Sequence, residues 1–208
     1  MFKINEIQKN IFVLEFKKRQ DMTSTLLRFQ EHYESPEFRN KTFTLKEFKE
    51  WYTKNSPNGV KTGKFTYYKD WSGFNFPSSV LMPFYDGQFK RLSKKEKLVL
   101  ETLPKKIERF YVIGVDSGHK NMEGVLNHEL AHAYYFIDEE YKNNVDSIIS
   151  SYNVEDAKEA IKYTGYCDEV LIDEVNAYSI CGYEYVGYEF FPQDMIEKLK
   201  KLFDEKQK

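Results

Sequence analysis

Apolar positions along the chain recur with two periods, and the switches between them mark out the elements. Residues 10–18 alternate only loosely but are rich in Ile, Val and Phe, which predicts a strand. Residues 23–32 read as a helix that ends before Ser35-Pro36. A second helix opens at Thr44-Leu45-Lys46-Glu47, a capping box in which the hydroxyl serves the third amide and the carboxylate reaches back to the cap. Its apolar stripe is Leu45, Phe48, Trp51 and Tyr52, and Ser56-Pro57-Asn58-Gly59 breaks it. Residues 65–87 are dense in aromatics, Gly, Pro and Ser: either a strand and an ordered loop whose rings plug a small core, or the lining of a cleft. Ser93-Lys94-Lys95-Glu96 is another capping box, opening a helix that stops near Pro104. Residues 110–115 form the clearest strand and 116–120 a turn. Helices follow over 125–137, 138–152, 155–164 and 168–180, and an amphipathic helix over 192–205 carries Met195, Ile196, Leu199, Leu202 and Phe203. With no internal repeat and no low-complexity linker, the pattern predicts a single α+β domain over 1–208, mostly helical with a small sheet.

Composition narrows the class. An aromatic share of 17% and an apolar share of 41% in 208 residues argue for a folded core and against disorder. The 31 basic and 33 acidic residues leave a net charge of −2, which gives no global pull toward nucleic acid or an anionic membrane. No window is apolar enough for a membrane helix, and the first residues lack the apolar region of a secretory signal, so a soluble cytoplasmic protein is expected. Cys167 and Cys181 lie about four turns apart on one predicted helix, ~20 Å, so both are expected as free thiols. His32, beside Tyr33, reads as a surface residue.

The chemistry lies in His128-Glu129-Leu130-Ala131-His132, an H-E-x-x-H sequence inside the 125–137 helix. Residues four apart stand one above the other on a helix face. Both imidazoles therefore project to one point, where a tetrahedral Zn2+ ion can sit ~2.0–2.1 Å from each nitrogen. Glu129, about 100° round the helix from His128, is badly placed to ligate but can reach a metal-bound water as general base. The surrounding Val125, Leu126, Leu130, Ala131, Ala133 and Tyr134 make this a buried helix, where unpaired polar groups cost a few kcal/mol each. Two core histidines bonded to backbone or tyrosine are the bland alternative.

A catalytic zinc site takes three protein ligands and keeps one position for water. No histidine follows His132, so the third ligand is a downstream carboxylate or an upstream residue such as His119. Glu174 is the strongest candidate. On the 168–180 helix Val170, Leu171, Val175 and Ile180 form the apolar part, and Glu174, Ala177, Tyr178 and Cys181 line a neighbouring stripe. Ala177, small and one turn from Glu174, lets that helix approach closely. Asp173 and Asp168 compete for the role, yet both read more simply as solvated helix charges, Asp168 with the dipole in its favour. His119 in Gly118-His119-Lys120 reads as an exposed loop residue.

An H-E-x-x-H followed on a second helix by Glu174-Val175-Asn176-Ala177 resembles the gluzincin group of zinc metallopeptidases, with a long gap similar to that of its lethal-factor-like members. The resemblance covers the second half of the chain; nothing in 1–105 is recognised. It implies a zincin-like domain around a central H-E-x-x-H helix beside a small mixed sheet, and within it the chain reads as an α+β N-terminal part over 1–105 and a helical metal-site part over 106–208. It further implies zinc held by His128, His132 and Glu174, Glu129 as base, and hydrolysis of a peptide or protein substrate. One position departs: many gluzincins place a second acid four residues after the ligand glutamate, and here Tyr178 stands there. Tyr178 is then a hydrogen-bond donor behind the ligands or to the developing oxyanion, or a packing residue, with Tyr166 its rival for the oxyanion. In zincin-like folds an edge strand above the metal binds substrate by strand addition, and the order of strand 111–115, loop and motif helix suits it, as it suits an ordinary strand. A zinc-dependent peptidase is therefore expected. The alternatives are a non-catalytic zinc-binding interaction module, closed by a fourth ligand such as His119 or Asp173, and a metal-free helical interaction domain.

Overall fold

The computed structural model describes residues 2–105, 109–181 and 186–208. The chain divides into two compact units, Met1–Met122 and Glu123–Lys208. The subdivision expected at 105/106 abuts residues 106–108, which lie outside those described.

The first unit runs β1 (Phe2–Gln8), β2 (Ile11–Phe16), α1 (Arg19–Glu34), α2 (Leu45–Asn55), α3 (Pro57–Thr62), α4 (Tyr67–Asp70), β3 (Gly73–Pro77), α5 (Met82–Tyr85), α6 (Lys94–Thr102) and β4 (Tyr111–Asp116). Its sheet is mixed, in the order β1-β2-β4-β3, with β2 and β4 parallel and both outer pairs antiparallel. β4 is buried at every position and paired on both sides, as its unbroken apolar run fits. The edge-strand reading of 111–115 is thereby corrected: that ladder has no free side on which a substrate strand could add. Helix α1 lies against the sheet through Leu26, and at Gly114 of β4 a Cβ would run into Leu26 Cδ1, so any larger residue there would displace the Leu26 side chain from this crossing.

Local sequence accounts for most of the helix ends here. Both capping boxes form: Thr44 Oγ1 accepts from Glu47 N at 3.2 Å and Ser93 Oγ from Glu96 N at 3.2 Å, with each glutamate returning to the cap amide. Ser56 ends α2 and also begins α3, accepting from Gly59 N at 3.0 Å with Pro57 in the first turn. The apolar face of α2 is narrower than its spacing suggests, since Phe48 and Tyr52 are buried while Leu45 is exposed and Trp51 half-buried. Tyr67, Phe74, Phe76 and Phe84 join Phe38, Phe43 and Phe48 in one buried cluster, so the aromatics of 65–87 fill a core. His32 belongs to that core as well. It is 6% exposed, its Nδ1 lies 2.9 Å from the Lys41 carbonyl, and its ring stands edge-on to Phe89; burial lowers its pKa. The surface reading fails because the face of α1 that carries His32 is covered by these rings.

The second unit holds α7 (Met122–Ile137) from Glu123 onward, α8 (Glu139–Ser150), α9 (Glu155–Tyr163), α10 (Leu171–Cys181) and α11 (Gln193–Lys206). Asp138 caps α8 by accepting from Tyr141 N at 3.0 Å. Met195, Ile196, Leu199 and Phe203 bury the inner face of α11. The helix expected over 168–180 is split: Asp168–Val170 is a 3₁₀ turn that leads into α10. α10 packs against α8, α9 and α11, and every residue from 173 to 180 is buried. Cys167 and Cys181 are thiols and form no disulfide. The α+β class, mostly helical with a small mixed sheet, is as expected. Among the described residues no helix is long and apolar enough to cross a membrane.

Candidate metal centre

Two helices of the second unit build the site. On α7, His128 and His132 stack one turn apart with their Nε2 atoms 3.3 Å from each other. On α10, Glu174 brings Oε1 to 3.5 Å from His132 Nε2 and Oε2 to 3.7 Å from His128 Nε2. Donor atoms around a tetrahedral ion held at ~2.0–2.1 Å stand about 3.3–3.4 Å apart. The Nε2–Nε2 separation matches that edge length, and the two separations to Glu174, each to a different carboxylate oxygen, lie somewhat above it. Among the described residues this is the trio of His, Cys or acidic side chains whose ligand atoms converge, all within 4.8 Å of one another.

A buried polar atom supports the fit. Glu174 is 1% exposed, and its Oε2 has no hydrogen-bond partner among the described residues. Leaving such an oxygen buried and unpaired costs about 1–3 kcal/mol, which a cation between the three groups offsets. The histidines are also oriented from behind, as metal-bound imidazoles usually are. The His128 ring hydrogen-bonds the Ala177 carbonyl, and His132 Nδ1 lies 2.9 Å from Asp173 Oδ1, a hydrogen bond once that nitrogen carries the proton. Small Ala177 thus contributes its backbone as well as its size.

Electrostatics follow burial. The His128 pKa is held well below the ordinary imidazole value by burial and then by the charge of His132. Burial opposes charge on His132 too, but the carboxylates of Asp173, Glu174 and Glu129 outweigh it and raise that pKa well above the usual range. Glu174 is pushed up by burial, against the pull of His132. Glu129 is buried on α7, next to His128 in the chain, and its charge acts on His132, Glu174 and Tyr178. Tyr178 stacks edge-on to His128, with ring centroids 4.8 Å apart. Burial and then Glu174 hold its hydroxyl well above the ordinary phenol pKa, so it stays a protonated donor, and it hydrogen-bonds Tyr166.

The chain matches no family model, no curated protein and no solved structure.

Of the five residues singled out from the sequence, His128, His132 and Glu174 converge, Tyr178 packs on His128, and Glu129 is buried on the same helix and acts on the group through its charge; Tyr166 reaches it through Tyr178. His119 does not join the converging trio; it is half-buried in the turn after β4, where its Nδ1 accepts from Asn121 N at 3.2 Å. Asp168 is an exposed charge paired with Lys162 at 2.6 Å, as its helix-terminal position predicts. Asp173 is the correction. It is buried and faces His132, because α10 is enclosed by α8, α9 and α11 and has no solvated side. The signal for it in the sequence was the adjacent Asp173-Glu174 pair, in which two acids next to each other point about 100° apart and can reach one ring from two directions.

Proposed function

We propose that the chain is a zinc-dependent peptidase with a gluzincin-type ligand set, His128, His132 and Glu174, in a zincin-like arrangement. The observation that carries this reading is the convergence of two Nε2 atoms and the buried Glu174 carboxylate, one oxygen of which has no hydrogen-bond partner among the described residues, at separations near the edge length of a tetrahedral site. When bound, the metal supplies a Lewis acid that polarises the scissile carbonyl and brings the pKa of water toward ~7. The rest falls to side chains of this chain. Glu129 follows His128 directly on α7 and is too far round the helix to share the ligand role, so its carboxylate takes a proton from the attacking water and passes it to the leaving amine. Tyr178, kept protonated by its surroundings, donates a hydrogen bond to the carbonyl oxygen as negative charge develops there. A closed, non-catalytic zinc module needs a fourth protein ligand, and among the described residues the converging ligand atoms belong to His128, His132 and Glu174, with neither Asp173 nor His119 among them.

The test combines metal content with turnover. Wild-type protein loaded with one zinc is expected to cleave members of a mixed peptide library, read by mass spectrometry. Glu129→Gln should keep its zinc and lose on the order of 10²–10⁴-fold in rate, the usual contribution of a general base. Undiminished cleavage by that variant would overturn the mechanism.

A further inference from the structure

Gluzincin-like chains commonly carry a second acid one turn beyond the ligand glutamate, and this chain has Tyr178 in that place. We propose that Asp173, the residue immediately before the ligand, is the positioning residue of the centre: it holds His132 with Nδ1–H toward α10 and Nε2 free for the metal. The inference rests on the metal reading above.

Four observations carry it. Asp173 Oδ1 stands 2.9 Å from His132 Nδ1, and both side chains are nearly out of solvent, at 12% and 2% exposure. That oxygen is buried and has no hydrogen-bond partner among the described residues, and His132 Nδ1 stands against it, so a proton on Nδ1 would satisfy it. The contact is on the opposite side of the ring from Nε2, which faces His128 at 3.3 Å and Glu174 at 3.5 Å. Adjacent residues of α10 therefore grip the two nitrogens of one imidazole, which allows one tautomer and one ring orientation. Support extends outward to α8. Lys142, whose charge acts on Asp173, pairs with Asp146 and covers the Tyr135 ring, and Asp146 accepts from the Tyr135 hydroxyl at 2.6 Å. Tyr178, relieved of a carboxylate's task, packs on His128 instead.

The experiment measures zinc affinity of the full chain by competition with a chromophoric chelator, together with the ¹⁵N tautomer signature of the histidines in the zinc-loaded protein. Asp173→Ala should weaken zinc about 10–100-fold, the usual effect of removing such a partner, and Asp173→Asn, which keeps an acceptor oxygen, should weaken it less. Asp168→Asn, an exposed acid on the same segment, should leave affinity unchanged. In the wild type, His132 should show a protonated, downfield-shifted Nδ1 and a metal-bound Nε2. This wild-type spectrum decides the matter even if Asp173→Ala does not fold. Tight wild-type binding with Asp173→Ala within twofold of it, or a His132 ring bound through Nδ1, overturns the role of Asp173 and leaves the metal reading intact. A wild-type chain that takes up no zinc overturns both.

Discussion

Glu31 shows how far a single buried side chain can depart from its ordinary chemistry. It is enclosed in α1, and although the hydroxyls of Tyr67 and Ser35 favour its charged form, burial still raises its pKa from 4.5 to about 7. Between those two values the folded chain keeps a proton that the unfolded chain has released. Glu31's contribution to stability is then greatest below pH 4.5 and falls as pH rises to about 7, by about 3 kcal/mol at ~1.4 kcal/mol per pH unit. Glu31→Gln should flatten that slope and be the more stable protein at pH 8, as urea unfolding from pH 4 to 8 would reveal; an unchanged slope would show that Glu31 ionises normally. Neither Glu31 nor His32 could be read as buried from the sequence, because a polar residue's exposure depends on which neighbours cover it. The four-residue spacing of His128 and His132 was legible because the helix alone fixes it. Asp173 lay between these cases, with its chemistry visible and its burial hidden.

Elements repeat the lesson at a larger scale. The capping boxes of α2 and α6 were legible to the residue, since each is closed by atoms three positions apart. Their energetic weights differ for a reason that the sequence does not show. Glu47 is exposed and does nothing beyond capping, whereas Glu96 is also bound through two oxygens to buried Arg28 on α1, at 2.6 and 2.8 Å. Glu47→Ala should cost little, no more than the loss of an exposed capping contact. Glu96→Ala should cost about 3–5 kcal/mol, because it strands a buried guanidinium. Chemical denaturation of the two variants side by side is the check, and equal losses would mean that the Arg28 pair contributes nothing. β1 escaped sequence reading for a similar reason. Phe2 and Ile4 alternate properly, but the register slips between Glu6 and Gln8, which puts Ile7 out of phase and leaves it exposed. The split of 168–180 into a 3₁₀ turn and α10 has no comparable signal in the residue pattern.

For the whole molecule, the division at Met122/Glu123 assigns the sheet to one unit and the entire ligand set to the other. A ligand that binds the folded chain alone stabilises it by RT ln(1 + [L]/Kd), about 2.7 kcal/mol at a hundredfold excess over Kd. How that stabilisation is distributed depends on which segments must be folded for the site to exist. His128, His132 and Glu174 require α7 and α10 together, and α10 is itself held by α8, α9 and α11. Hydrogen exchange on the intact chain, with zinc and with a chelator, should therefore show added protection in α7, α8 and α10, while β2 and β4 exchange at the same rate in both conditions. Comparable gains in β2 and β4 would place the metal, or the cooperative unit it stabilises, outside these helices. The response should also vanish in Glu174→Gln. That variant loses a ligand but also removes a buried carboxylate with an unpartnered oxygen, so its chelated form should melt above the chelated wild type. Loss of metal response together with a gain in metal-free stability separates a residue retained for binding from one retained for folding.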